Sequence, residues 1–180
     1  LQYGLSELGN ARRVVVTSPE QLDGKSTLAS NVAIALAKSG KNVLLVDANL
    51  RDPMQHRIFG VSDAVGLVDV LSGGELNERA IRRTTVERLH VMPAGAVPQN
   101  PSELLNSSAL PDMLGQLSGK YDVVLIDTPA VGVVDDARIV ASACDAGVLV
   151  VRAGKTNRRL ASAARDGLLS VGCPVCGVVV

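Results

Sequence analysis

The fold of this chain is decided by the run Thr17-Ser18-Pro19-Glu20-Gln21-Leu22-Asp23-Gly24-Lys25-Ser26-Thr27. The run follows a β-branched segment, Arg13 to Thr17, that predicts a strand. It precedes Leu28, Val32 and Leu36, whose i, i+4, i+8 spacing predicts a helix. A Gly-Lys-Ser sequence between a strand and a helix is typical of a phosphate-binding loop, because N–H groups at a helix N-terminus lack intrahelical partners and attract anions. The sequence therefore predicts a P-loop.

The residue types in the loop suit the parts of ATP and its magnesium ion. We expect Lys25 to reach the outer phosphates and Ser26 to give a hydroxyl oxygen to Mg²⁺, while Thr27 supports an inner phosphate. Asp23 and Gly24 complete the part of the predicted ATP-binding set that lies in the loop.

Two loop positions depart from the usual pattern. Pro19 replaces its first glycine, and Leu22 stands where a small residue would ease a positive φ. The alternative interpretation is an accidental Gly-Lys-Ser sequence at a helix start, which the other motifs disfavour.

Two further predicted strands end in an acid, at Asp47 and at Asp127. A carboxylate at the carboxyl end of a buried parallel strand points into the ligand crevice, where it can hold magnesium through water or polarise a nucleophile. The predicted metal site is therefore Ser26, Asp127 and Asp47. The alternative is that each acid ends its strand as a turn former.

The alternation of short apolar runs with helical patterns predicts an α/β fold. The runs are apolar on both faces, so we expect a mostly parallel twisted sheet with helices on both faces, the architecture of a P-loop NTPase. The predicted strands are 13–17, 43–47, 89–92, 123–127, 147–151 and 175–180. The segment from Asp52 to Arg88 is interpreted as small surface helices, and Ser102 as a cap of a short helix.

Composition excludes several classes of protein. Lys plus Arg and Asp plus Glu both number 18, so no uniformly basic surface for nucleic acid is indicated. The apolar runs fall far short of the ~20 residues that span a bilayer. Three cysteines are no disulfide framework. We expect residues 1–180 to form one domain of a longer protein that is cut at both ends, located in the cytoplasm.

The whole pattern resembles the bacterial tyrosine kinase family, the P-loop kinases of capsule and exopolysaccharide biosynthesis. The stretches that carry the resemblance are Gly24 to Thr27, Leu44 to Pro53, His56 to Phe59, Pro93 to Gly95, Asn100 to Leu105, Tyr121 to Pro129 and Val151 to Thr156. In that family the strand ending at Asp47 continues as Asp-x-Asp, and here Asn49 stands at the second acid.

The resemblance implies an ATP-dependent protein-tyrosine kinase with Lys25, Asp47 and Asp127 as catalytic residues. Asp47 would draw the proton from the incoming phenol, and Asn49 and Arg51 would join the cofactor-binding set. The implied substrate is a Tyr-rich tail on a neighbouring subunit of a homo-oligomer. The implied partner is a transmembrane polysaccharide co-polymerase or adaptor, on the cytoplasmic side of the plasma membrane.

Two other functions remain open from the sequence. A partitioning or septum-site switch ATPase shares the fold, but that class usually has an extra signature Lys early in the P-loop, and residues 19–22 contain none. A degenerate ATP-binding scaffold of polysaccharide export is suggested by Asn49 and Leu22.

Other candidates have simpler interpretations. Tyr121, directly before the strand that ends at Asp127, is expected to pack rather than to accept phosphate. Arg152 and the basic residues that follow it are interpreted as a solvated helix start.

Overall fold

A single mixed sheet organises the protein in the computed structural model, which describes residues 11–180. Its strands are β1 (Arg13–Thr17), β2 (Val43–Asp47), β3 (Arg82–Arg83), β4 (Leu89–Met92), β5 (Val123–Asp127), β6 (Ala146–Val150) and β7 (Val175–Val179). The helices are α1 (Lys25–Lys38), α2 (Gln55–Phe59), α3 (Leu67–Leu71), α4 (Pro101–Leu105), α5 (Ala109–Ser118), α6 (Asp136–Ser142) and α7 (Arg158–Ser170). Among these residues, no helix combines the length and apolarity needed to cross a bilayer.

The strand order is β3-β4-β2-β5-β1-β6-β7, and every neighbouring pair is parallel except β3 with β4. The predicted, mostly parallel sheet is therefore confirmed. Sequence reasoning missed β3, because two consecutive arginines at a sheet edge show none of the apolar alternation that indicates a strand.

Helices cover both faces of the sheet, as predicted. On one face, α1 packs through Ala29, Ala33 and Ala37, whose small side chains let the helix lie close to the strands. Helices α3 to α7 cover the other face. The carboxyl ends of β1, β2 and β5 are adjacent, which places the P-loop beside the two strand-end acids.

One prediction for the segment from Asp52 to Arg88 was wrong. Its helices are short, but α3 is a core helix rather than a surface helix. Leu67 and Leu71 are buried, and with Val70 they form one apolar stripe at i, i+3, i+4 spacing.

Candidate active site

The P-loop connects β1 to α1 with a strained backbone. Gly24, the residue before the first turn of α1, has a φ of 91°, and Leu22 has a φ of 64° with 84% of its surface exposed. Left-handed backbone is unfavourable for a residue with a Cβ. The side chain of Asp23 steadies the loop by accepting a hydrogen bond from the backbone N–H of Glu20 at 3.1 Å.

Asp47 and Asp127 lie side by side beneath this loop. They are register partners at the ends of neighbouring parallel strands, and both are fully buried. The Asp47 Oδ2 atom accepts hydrogen bonds from the backbone N–H groups of Met54 (2.9 Å) and Gln55 (2.8 Å). Its Oδ1 atom accepts only a longer bond, 3.2 Å, from the backbone N–H of Asn49. The pair forms a compact acidic centre at the crevice.

The two carboxyl groups are protonated more readily than ordinary acids. Burial raises the pKa of Asp47 to about 7, and the neighbouring negative charge of Asp127 adds to the increase. Burial also raises the pKa of Asp127 to about 6, although the hydrogen bond from Gln55, the nearby hydroxyl of Ser26 and the positive charge of Lys25 lower it. The two acids therefore titrate as a coupled pair close to neutral pH, and Asp47 binds a proton more readily than Asp127.

Gln55, which sequence reasoning missed, forms hydrogen bonds with both acids: its backbone N–H donates to Asp47 and its side chain donates to Asp127. Its side chain is fully buried, and its Nε2 atom donates to Asp127 Oδ2 at 2.8 Å and to the Ser26 carbonyl at 3.2 Å. The Ser30 hydroxyl donates to the Gln55 Oε1 atom at 2.8 Å. No periodic signal distinguishes this glutamine from a surface residue, because it lies in a five-residue helix.

Asp127 keeps one free oxygen. Its Oδ1 atom is buried and accepts no hydrogen bond from the residues that the structure describes. Buried polar atoms without a partner are rare in folded proteins and often indicate an ion or water. The neighbouring hydroxyl of Ser26 gives a second hard oxygen at this point.

Apart from Ser26, the predicted ATP-binding residues line two cavities that share Leu22 of the P-loop. Lys25, Asn49 and Arg51 line one of about 290 Å³, together with Leu22. The larger cavity, about 510 Å³, is lined by Asp23, Gly24, Thr27, Arg152 and neighbouring residues of β6 and β7. The Asn49 Nδ2 atom donates to the Asp52 carbonyl at 2.7 Å, which closes the turn after β2.

Arg51 is held by two residues that sequence reasoning did not assign to the site. Its Nε atom donates to Asp136 Oδ2 at 2.8 Å, and Asp136 is completely buried. The Ser102 hydroxyl donates to the other Asp136 oxygen at 2.5 Å. The expectation that Ser102 caps a helix was wrong: it lies inside the first turn of α4, whose N-cap is Asn100, and its hydroxyl is taken by Asp136.

Arg152 is also more than the start of a solvated helix. Its Nη1 atom donates to the carbonyl of Leu22 at 3.4 Å, and the neighbouring Thr156 hydroxyl donates to Asp23 Oδ1 at 3.3 Å. The turn after β6 therefore contacts the P-loop at two points. Helix α7 itself begins later, at Arg158, with Asn157 as its cap.

Comparison with known proteins agrees with this geometry. A family model described as an AAA domain matches residues 23–154. The chain is 36% identical to the tyrosine-protein kinase YwqD of Bacillus subtilis over 93% of its own length and 71% of the relative's. It belongs to the bacterial tyrosine kinase family. The predicted membership is confirmed, and the chain is a protein-tyrosine kinase domain with a P-loop ATP-binding fold.

Solved structures of bacterial tyrosine kinases have the same fold as this chain. The kinase domain of the Escherichia coli tyrosine kinase ETK superposes with a TM-score of 0.92 at 30% identity, covering 99% of this chain and 69% of that one. The septum site-determining protein MinD from Pyrococcus horikoshii, complexed with Mg-ADP, gives a lower TM-score of 0.80 at 30% identity, covering 93% and 68%. The switch ATPase alternative is therefore the less favoured of the two.

Proposed function

We propose that this kinase domain transfers the γ-phosphoryl group of ATP to tyrosine side chains of neighbouring copies of the same protein. The observation that carries the proposal is the buried pair of Asp47 and Asp127 beneath the P-loop, with pKa values raised to about 7 and about 6. Two such acids can take different roles at neutral pH, because one accepts a proton while the other remains an anion.

Asp47 is the proposed base. Its raised pKa suits a group that takes a proton from a phenol near neutral pH, and its Oδ1 atom has only one long hydrogen bond. The two backbone N–H groups on Oδ2 fix the carboxyl plane. Phosphoryl transfer depends mainly on such positioning and on neutralising charge.

The proposed magnesium ligands are Ser26 and Asp127, with Asp47 acting through water. The fit rests on the free, buried Asp127 Oδ1 atom and on the hard oxygen donors around it. Bound there, the ion would neutralise charge on the outer phosphates. Gln55 holds the other oxygen of Asp127 and thereby orients the free one.

We assign the remaining ATP-binding residues to the outer or inner phosphates according to the cavity that each residue lines. Lys25 would contact the outer phosphates from the smaller cavity, where Asn49 and Arg51 face it. Asp23, Gly24 and Thr27 would border the inner phosphates from the larger one. Asp136 and Ser102 would act indirectly, by holding Arg51 in place.

The wider setting is proposed from the family resemblance. The substrate would be a Tyr-rich tail on a neighbouring subunit of a homo-oligomer. The partner would be a transmembrane co-polymerase or adaptor, with residues 1–180 as one cytoplasmic kinase domain at the inner face of the membrane. The process would be capsule or exopolysaccharide polymerisation and export.

A kinase assay on a Tyr-rich peptide tests the proposal. We expect Lys25→Met and Asp47→Asn each to lower phosphotransfer by at least about 10²-fold, since one removes charge stabilisation and the other the proton acceptor. The matched control is Lys41→Met, because Lys41 is exposed and follows the end of α1 that is opposite to the P-loop. Parental rates in Lys25→Met or Asp47→Asn would refute the assigned roles.

A further inference from the structure

A third cavity lies at the sheet edge that β3 and β4 form. It has a volume of about 280 Å³ and is lined by Glu78, Ile81, Arg82, Arg83, His90 and Tyr121. The register partner of His90 on β2 is Leu44, which lies three residues before Asp47. The cavity is therefore about 10 Å from the acidic centre along the strands alone.

Both arginines of the cavity lack an acidic partner. Neither Arg82 nor Arg83 forms a salt bridge or a side-chain hydrogen bond with residues 11–180, although Glu78 stands exposed at the rim. The Nε atom of Arg82 is buried and has no hydrogen-bond partner among residues 11–180. A buried N–H donor without an acceptor lowers the stability of the folded state unless an anion or a water molecule accepts its hydrogen bond.

His90, the register partner of Arg83, adds another unpaired atom to the lining of this cavity. Its Nδ1 atom is buried and has no hydrogen-bond partner in the described part of the chain. Burial and the charge of Arg83 lower the pKa of His90, so the ring is neutral near pH 7. The ring packs edge-on against Tyr121, with centroids 5.7 Å apart at 71°, which fixes its orientation.

We propose that this cavity binds a phosphate monoester, separately from the ATP site. A phosphoryl group offers three terminal oxygens and close to two negative charges, which suit two guanidinium groups better than a single carboxylate does. The rings of His90 and Tyr121 form an aromatic wall beside the arginines, so an aryl phosphate such as a phosphotyrosine side chain matches both parts of the cavity. This site is independent of the roles proposed for the residues of the P-loop.

Nuclear magnetic resonance of the histidine rings tests this site directly. The chain has only two histidines, so the His90 ring signal is readily assigned by comparison with a His56→Gln variant. Inorganic phosphate and O-phospho-tyrosine are titrated into the full chain in the Lys25→Met background, which weakens phosphate binding at the P-loop. We expect a saturable shift of the His90 signal with either probe.

The controls separate this cavity from other basic surface. The double variant Arg82→Gln/Arg83→Gln should weaken binding at least tenfold, whereas Arg79→Gln, an exposed arginine on the same segment, should leave it unchanged. The pair Arg82→Lys/Arg83→Lys should keep part of the affinity if the fold is intact. Tighter binding of O-phospho-tyrosine than of phosphate would show that the cavity recognises a phosphotyrosine side chain. Equal binding of the two probes would show that it recognises free phosphate. No saturable His90 shift, or equal affinity in the double Gln variant, would overturn the proposal.

Discussion

Replacing Asp127 by Asn should stabilise the protein when no nucleotide is present. The folded chain buries two acids as register partners, and burial raises the pKa of Asp127 from 3.8 to about 6. The folded state therefore binds more protons than the unfolded state. The stability that Asp127 contributes to the folded state is therefore fully present below about pH 4. It is lost as the pH rises through about 6.

The size of the effect follows from the pKa. A rise of about two units corresponds to roughly 3 kcal/mol at 1.4 kcal/mol per unit, so an uncharged residue should recover on the order of 2 to 3 kcal/mol at pH 8. Near pH 4 the gain should shrink to less than about 1 kcal/mol, because Asp127 is then protonated in the folded state. Gln55 can still donate its hydrogen bond to the oxygen of the new amide.

Urea unfolding at pH 4 and pH 8 without nucleotide or magnesium measures both values. The control is Asp135→Asn, whose side chain is 76% exposed and should change stability by less than about 0.5 kcal/mol. The same Asp127 variant should lose magnesium-dependent ATP binding more than magnesium-independent binding. A variant less stable than the parent at pH 8, or a gain equal at both pH values, would refute the reasoning.

Three further substitutions test the supporting contacts. Gln55→Leu should destabilise the free protein by about 1 to 3 kcal/mol in denaturant unfolding, because Asp127 loses a buried donor; an unchanged midpoint would contradict this. Leu22→Gly should stabilise it by up to about 1 kcal/mol, since the left-handed backbone is relieved and the exposed side chain gives up little burial; a lower melting temperature would count against it. Asp136→Asn should raise the KM for ATP several-fold with the fold retained, because Arg51 loses its anionic partner; wild-type kinetics would show that this pair does not position Arg51 for ATP.

The acidic centre was predictable because it depends on local patterns. The Gly24-Lys25-Ser26 sequence follows one apolar strand, and an acid ends each of two others. Parallel strands place their carboxyl ends at one edge, so the sequence predicts that Asp47 and Asp127 lie at the same edge of the sheet. The structure then shows that they are register partners on neighbouring strands. The sheet class and the binding loop follow from the same patterns.

The sequence alone determined six of the seven strands and the acids that end two of them, while only the tertiary structure decided which polar side chains form hydrogen bonds with those acids. Gln55 and Asp127 are 72 positions apart, and Arg51 and Asp136 are 85 apart. Hydrophobic periodicity reports which face of an element is buried, but it carries no information about which distant polar group completes a hydrogen bond there. The arginine cavity was missed for the same reason, because β3 becomes a strand only by pairing with β4 at the sheet edge.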